Sequence, residues 1–315
     1  MADSPFVVGD WGTSHLRLFL CAADSTVLQR VQGPGAAQVP GAHAATLASL
    51  LAPWQNNGVL LPVVLCGMVG SSLGWVQAPY LPCPVRPEQI AAGCLSQWDD
   101  RVQIVPGLSC LNCFAAPDLM RGEETQILGA LHLEPRLQRG RQLLCLPGTH
   151  TKWVVLNDGA VQEFLTAPAG ELFALLREHS VLVDDRNGKD LCGSEPAFAE
   201  GVQSFNRYPQ AQLLHRLFEC RSRRLGGEFD AHMSAAFLSG LLIASDVTGA
   251  LAALGASATP SQVTLIGAPG LIPLYTAALE QRRIRAAPID GERASCAGLV
   301  NVHRQLSTVN LTHAH

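Results

Sequence analysis

Apolar and polar positions alternate in short runs at the start of the chain. Val7-Val8-Gly9-Asp10 and Leu16-Arg17-Leu18-Phe19-Leu20-Cys21 each read as a strand, and Trp11-Gly12-Thr13-Ser14 between them has turn chemistry, so an opening β-hairpin is expected. Residues 26–31 offer a third strand. Glycines and prolines from 33 to 41 mark a loop, after which the period becomes helical over 42–54. The apolar run 60–66 predicts a buried strand ending at Gly67, followed by a loop over 67–84, a helix over 87–98 and a strand over 102–105. This half reads as a mixed sheet flanked by helices.

The pattern then restarts with a helix from Arg121 to Leu133 and strands over 142–146, 152–156 and 160–165. Pro147-Gly148-Thr149-His150 turns between the first two of these strands. As in the opening hairpin, a glycine precedes a hydroxyl residue in the turn. Helical periodicity dominates from 170 to 254, then come a strand over 263–266, the turn Gly267-Ala268-Pro269-Gly270, a helix, and a last amphipathic helix near 292–306. The tail with His313 and His315 reads as unstructured. Ser239, Ser245, Asp246 and Thr248 interrupt the apolar stretch 235–254, which makes it a buried helix rather than a membrane span.

Length and composition refine this picture in three ways. The 315 residues suffice for about two domains, each with its own core. Apolar residues make up 48% and charged residues 15%, which excludes intrinsic disorder. A net charge of −4, from 22 basic and 26 acidic residues, is too small and of the wrong sign for a nucleic-acid binder. The opening Met-Ala-Asp-Ser-Pro lacks a basic segment, and Asp10 and Arg17 interrupt the apolar run after it, so no secretion signal is read and a cytoplasmic location is expected. The ten cysteines have no framework spacing and are expected as reduced thiols; Cys110 and Cys113 form the one C-x-x-C pair, without the second pair a zinc site needs.

The hairpin Asp10-Trp11-Gly12-Thr13-Ser14 sets a carboxylate at a strand end beside backbone N–H groups and two hydroxyls. That arrangement suits a phosphate, with Asp10 holding a hydrated Mg²⁺. A second such turn at Gly148 and Thr149 suits a nucleotide-splitting enzyme with two phosphate-facing hairpins. Gly267, Ala268 and Gly270 come after a strand and open a helix, a setting for adenine or ribose. No P-loop and no dinucleotide-binding glycine pattern occurs. Glu123 and Glu124 begin a helix; a phosphoryl acceptor needs a carboxylate to take its proton, while acidic residues also favour a helix N-terminus for electrostatic reasons alone.

These blocks, together with Cys66-Gly67-Met68-Val69-Gly70-Ser71, Trp75, Ala78-Pro79-Tyr80, Val105-Pro106-Gly107-Leu108, Met120-Arg121-Gly122-Glu123-Glu124-Thr125-Gln126, Leu146-Pro147-Gly148-Thr149-His150-Thr151-Lys152-Trp153 and Phe237 to Ile243, make the chain resemble the 2-dehydro-3-deoxygalactonokinase family over nearly its whole length. The resemblance implies an α/β, two-lobed actin/hexokinase-like (ribonuclease H-like) fold with an ATP cleft. It also implies transfer of the γ-phosphoryl group of ATP to the 6-hydroxyl of 2-dehydro-3-deoxy-D-galactonate, with Mg²⁺. By that similarity Gly12, Thr13 and Ser14 form the first phosphate loop, and Gly148, Thr149, His150 and Lys152 the second. Gly267, Ala268 and Gly270 form the adenosine-side turn. Asp10 serves the metal, and Glu123, with Glu124 as its rival, is the general base. Arg17 is expected to bind the substrate carboxylate, beside Gly67, Met68, Val69, Gly70, Ser71, Trp75, Tyr80 and Arg121. Two departures touch fine geometry: His15 stands where relatives often carry Asn, and Pro269 sits in the adenosine-side turn.

The expected domains are residues 1–117, 118–290, and a C-terminal segment 291–315 packing back on the first. The expected partners are a sugar acid and ATP, with a homodimer as the default assembly. Two alternatives stand beside this reading. One is a kinase for a related sugar acid or sugar. The other is a serine hydrolase using Ser72, since Gly70-Ser71-Ser72-Leu73-Gly74 matches G-x-S-x-G, although the strand ends too early and Pro79 and Pro82 block the helix such a nucleophile needs.

Overall fold

The structure is a computed structural model that describes residues 4–55, 61–98, 100–185, 188, 190–191, 193, 195–208, 212–254 and 260–312. The chain divides into two compact units. The first comprises Met1–Arg141, Leu156–Glu163 and Gly291–His315, and the second Gln142–Val155 with Phe164–Asp290.

The first unit holds β1 (Phe6–Trp11), β2 (His15–Cys21), β3 (Val27–Pro34), α1 (His43–Leu51), β4 (Val63–Gly67), β5 (Tyr80–Pro82), α2 (Pro87–Ala92), β6 (Leu95–Gln97), β7 (Val102–Ile104), β8 (Gly107–Leu111), β9 (Pro117–Met120) and α3 (Glu123–Leu133). Its main sheet has the order β3-β2-β1-β4-β7-β6, and β5-β8-β9 form a small second sheet. β1 pairs antiparallel with β2 and parallel with β4. Hence the C-terminal ends of β1 and β4 lie side by side, with Asp10 opposite Cys66.

The second unit is built from β10 (Arg141–Leu146), β11 (Thr151–Asn157), β12 (Ala160–Ala167), α4 (Ala169–His179), α5 (Pro196–Arg207), α6 (Leu213–Arg216), α7 (Phe218–Leu225), α8 (Ala231–Leu254), β13 (Gln262–Gly267), α9 (Ile272–Glu280) and β14 (Arg285–Asp290); the outer ends of β11 and β12 belong to the first unit. The sheet order β12-β11-β10-β13-β14 repeats β3-β2-β1-β4-β7 strand for strand. The repeated turn chemistry in the sequence is therefore the trace of a repeated topology. α8 is the one described helix long and apolar enough to cross a membrane, and its side chains Phe237, Leu238, Leu241 and Val247 lie fully buried in the core of this unit.

The last helix, α10 (Gly291–Thr312), belongs to the first unit and packs on α3. Two glycines permit this. A Cβ at Gly129 would lie 1.8 Å from the Ala294 carbonyl oxygen, and one at Gly298 would lie 1.9 Å from that of Thr125. This packing also explains why the division falls after Arg141 and not after residue 117: α3 buries Ile127, Leu128, Ala130 and Leu131 within the first unit.

β5, β8, β9 and β14 escape the hydropathy pattern, three of them for one reason. β5, β9 and β14 carry Pro82, Pro117 and Pro288, and proline reads as a strand breaker. All three lie at sheet edges, where a missing N–H leaves no partner unsatisfied. The helix expected over 87–98 stops at Ala92, and the chain after Gly93 forms β6.

Candidate active site

Below the first hairpin turn lies the segment after β3. Gly12 N–H donates to the His15 carbonyl at 2.9 Å, Ala36 N–H to the Gly12 carbonyl at 2.9 Å, and Ala37 N–H to the Thr13 carbonyl at 3.3 Å. With its carbonyls taken in this way, the turn leaves Thr13 and Ser14 exposed.

Asp10 faces Arg17 across the strands, and its Oδ2 receives an N–H of that guanidinium at 2.6 Å. Arg17 also lies 3.6 Å from Glu292 in the first turn of α10, and Glu292 pairs in turn with Arg30 at 3.0 Å. Arg17, expected to receive a substrate carboxylate, thus stands between two carboxylates of the chain.

Gly67 ends β4 with φ +88°, where a Cβ would meet the Trp11 carbonyl at 2.9 Å and Asp10 Oδ1 at 3.1 Å. Residues 68–70 then form a tight 3₁₀ turn. Val69 is fully buried, and Ser71 donates both its hydroxyl (2.7 Å) and its N–H (3.0 Å) to the Met68 carbonyl. Val69 thus packs into the core of the unit, and the Ser71 side chain closes the turn. Ser72 is exposed in the turn beyond, and no helix leaves it, so the nucleophile geometry of a hydrolase is absent.

Arg121 precedes α3. Its guanidinium lies 4.3 Å from the ring centre of Tyr80, donates to the Ala78 carbonyl at 2.8 Å and reaches Tyr80 Oη at 3.4 Å. The remaining nitrogen, Nη1, is buried without a partner, and a Cβ at Gly70 would stand 2.9 Å from it. Trp75 meets Trp98 edge-on, with ring centres 6.0 Å apart.

Gly122, with φ +104°, turns the chain into α3 close to Gly67. Both glutamates then reach back to the turn. Glu123 accepts the Arg121 N–H at 3.1 Å and Glu124 accepts the Gly122 N–H at 2.6 Å. They differ in exposure, since Glu123 is half-buried whereas Glu124 is fully buried with Oε1 unpartnered. Burial, and then the charge of Glu123, pushes the Glu124 carboxyl up to about 8. Cys66, which nothing in the sequence distinguishes from the other thiols, sits between the charged groups: burial, then Asp10 and Glu124, raises it well above its ordinary value.

In the second unit the turn 147–150 carries the N-terminus of α4. A Cβ at Gly170 would lie 2.4 Å from the Gly148 carbonyl oxygen, Glu171 N–H donates to the Thr149 carbonyl at 2.9 Å, and His150 Nε2 lies 2.8 Å from Glu171 Oε2. Gly267, at the end of the adjacent strand β13, stands next to Pro147. A cavity of about 310 Å³ opens here, lined among others by Gly148, Gly170, Ser239, Leu242, Ala268 and Gly270. The two turns singled out by their sequence thus meet at one pocket. Lys152 on β11 is buried and donates to Thr166 Oγ1 on β12 at 2.7 Å. The equivalence of the units adds a relation that residue types alone conceal. Gly67–Gly70 after β4 and Gly267–Gly270 after β13 are the same turn of the repeated topology.

Mg²⁺ is held in enzymes by one or two carboxylates, with water and phosphate oxygens filling the other positions. Asp10, at a strand end beside an exposed turn, is one such carboxylate. Among the described residues no three His, Cys, Asp or Glu side chains group to hold a metal. The residues fit a cation that shares its ligands with a nucleotide's phosphates, not an all-protein cage.

Comparison with known proteins decides the family. Residues 10–302 match the family described as 2-keto-3-deoxy-galactonokinase. The chain belongs to this kinase family. A Rhizobium meliloti (strain 1021) relative named probable 2-dehydro-3-deoxygalactonokinase DgoK1 is 36% identical, with 92% of this chain and 94% of the relative aligned. The 2-dehydro-3-deoxygalactonokinase of Escherichia coli (strain K12) is 32% identical over 94% of this chain and 97% of its own. A Sinorhizobium meliloti protein whose crystal structure carries the same kinase's name superposes with a TM-score of 0.86 at 34% identity, covering 96% of this chain and 99% of that one. An activator of 2-hydroxyisocaproyl-CoA dehydratase from Clostridium difficile, at 10% identity and a TM-score of 0.51 over 97% of both chains, shares the fold alone. This kinase is thus an α/β protein of the actin/hexokinase class, and it transfers phosphate to a sugar hydroxyl.

Proposed function

We propose that this kinase transfers the γ-phosphoryl group of ATP to the 6-hydroxyl of 2-dehydro-3-deoxy-D-galactonate, giving the 6-phosphate and ADP, as a cytoplasmic step of D-galactonate breakdown. Family membership supports the reaction class. The observation that carries the substrate's acidity is the orphaned Nη1 of Arg121, a buried positive group that an anion satisfies. A planar guanidinium resting on Tyr80 is preorganised for a carboxylate in a way that a lysine is not. In this reading Arg121 takes the carboxylate that Arg17 was expected to take.

The chemistry then comes from the chain's own groups. Glu123, half-buried beside the Gly122 turn, accepts the proton of the acceptor hydroxyl. Glu124 is already protonated at neutral pH and cannot accept another. Arg17 orients Asp10, which would hold Mg²⁺; that cation supplies charge neutralisation on the phosphates when bound. The turns 12–14 and 148–150 provide N–H and hydroxyl groups for phosphate oxygens, and the cavity at 268–270 takes the adenosine.

The test is an ADP-release assay against a panel of 2-oxo-3-deoxy aldonates and neutral hexoses, run on wild type and Arg121→Lys. The expected result is turnover of 2-dehydro-3-deoxygalactonate and a rise in its KM of tenfold or more in the variant, with the KM for ATP unmoved. Equal use of neutral sugars, or an unchanged KM, rejects the proposal.

A further inference from the structure

The nucleotide cavity is bounded by a hydrogen-bonded chain that no sequence motif announces. Asp246 interrupts the apolar helix α8, where a carboxylate is costly unless every oxygen finds a donor. It finds two. Trp153 Nε1 on β11 donates to Oδ1 at 2.9 Å, and Tyr275 Oη on α9 donates to Oδ2 at 2.7 Å. With the phenol proton committed in this way, the Thr151 hydroxyl donates to Tyr275 Oη at 2.9 Å. Thr151 is fully buried and Tyr275 nearly so.

The placement of these groups matters more than their number. Thr151 is the first residue after the turn 147–150, and Tyr275 lies in the first turns of the helix after 267–271. Tyr275 also lines the cavity itself, together with Gly148 from one turn and Ala268 and Gly270 from the other. The two turns are therefore tied through a single carboxylate on a third element. Desolvation lifts the Asp246 carboxyl to about 6 although both hydrogen bonds pull it down. At neutral pH the group is charged and binds its two donors firmly.

We infer that Asp246 and Tyr275 are positioning residues for the nucleotide, fixing the separation of the turns 147–150 and 267–271 so that the cavity between them keeps the width an adenosine phosphate needs. The inference rests on reading this cavity as the nucleotide site. Without the tie, the two turns of the second unit move independently, and part of the binding energy goes into reordering them. Neither residue touches the sugar-acid side, so their effect is confined to the nucleotide.

The experiment measures binding of ADPNP with Mg²⁺, and separately of the sugar acid, by calorimetry on the full chain. Four proteins are compared: wild type, Tyr275→Phe, Asp246→Asn and Gly270→Phe. A Cβ at Gly270 meets nothing within 4 Å, so the phenylalanine has room to project there and tests the cavity itself. Tyr275→Phe removes both hydroxyl bonds at almost constant volume and should weaken ADPNP about tenfold. Asp246→Asn keeps one acceptor for Trp153 and can donate to Tyr275, so a loss of only about threefold is expected. Sugar-acid affinity should stay at the wild-type value in both. If Gly270→Phe leaves ADPNP binding intact, the cavity is not the nucleotide site and the inference falls with that reading. If Gly270→Phe abolishes binding while both network variants bind ADPNP as wild type does, the positioning role alone is overturned. Should Tyr275→Phe fail to fold, Asp246→Asn decides by the same criterion. A lower melting temperature with unchanged Kd for ADPNP also overturns it, because a purely structural role predicts that result.

Discussion

At the scale of single residues, the two adjacent glutamates show how one helix turn separates two chemistries. Glu123 keeps access to solvent while Glu124 is sealed into the core of its unit, so the proposal gives the role of base to the first and leaves the second as a protonated acid. A general base contributes roughly 10²- to 10⁴-fold, so Glu123→Gln should lower kcat by about 3 to 5 kcal/mol of barrier with little change in substrate affinity. Glu124→Gln should retain most turnover and alter stability instead. The folded Glu124 carboxyl stands at about 8 against an ordinary 4.5, so its contribution to stability is whole below about pH 4.5 and is lost as the pH rises through about 8. The penalty at alkaline pH reaches roughly 5 kcal/mol at most. Melting curves from pH 5 to 9 should therefore show wild type falling relative to Glu124→Gln. Parallel curves would mean that Glu124 is not held protonated. If Glu124→Gln is the inactive variant and Glu123→Gln turns over, the base has been assigned to the wrong neighbour. Asp10→Asn is expected to lose most of the rate as well, because it removes a charge at constant volume and strands Arg17.

Elements tell a different story, because what joins them is mostly backbone. α3 and α10 approach so closely that glycine is required at the crossing, and the pair Gly201 and Gly240 does the same between α5 and α8, with Cβ positions 2.3 and 2.2 Å from opposing carbonyl oxygens. Replacing glycine by alanine inside a helix normally gains about 1 kcal/mol. Gly249→Ala in α8, where a Cβ meets nothing within 4 Å, should realise most of that gain. Gly129→Ala should instead cost about 3 kcal/mol or more, since two backbones must separate. Denaturant titration of the two variants separates these expectations, and a tolerated Gly129→Ala would show that the crossing is looser than its distances imply. The same crossings mark the limit of what the sequence discloses. Hydropathy and turn chemistry locate β1, β2, β4, β10, β11 and β13 and both glycine–hydroxyl turns, because those strands are buried and their turns need particular residues. They miss β6 and β8, and also β5, β9 and β14, whose prolines are harmless only because these last three strands lie at edges, a property of the sheet and not of the segment. The ion pairs of Arg17 are half-hidden in the sequence for a related reason. Its neighbour Asp10 is visible in the hairpin register, but Glu292 arrives from a helix hundreds of residues later.

For the molecule as a whole, the repeated sheet order makes the division of labour a testable statement. Each unit presents the same two turns, one after its first strand and one after its fourth, yet their surroundings differ in chemistry. In the first unit the turns are bordered by Asp10 at the end of β1 and by Arg121 and Glu123 at the start of α3, groups suited to a charged acceptor and its proton. In the second they border an apolar cavity with Leu242, Ile243 and Leu274, suited to a purine. Ligands should therefore protect the units separately. In hydrogen-exchange measurements on the full-length kinase, ADPNP with Mg²⁺ is expected to slow exchange at 147–151, 170–173 and 268–275. The sugar acid is expected to slow it at 67–71 and 120–125. Both sets should respond when both ligands are present, and Arg121→Lys should erase only the second. Core amides of β1 and β10 exchange through wider opening and should change little with either ligand alone, which provides an internal reference. Protection of 67–71 by the nucleotide and of 268–275 by the sugar acid would reverse the assignment of the two units and with it the roles given to Arg121 and Tyr275.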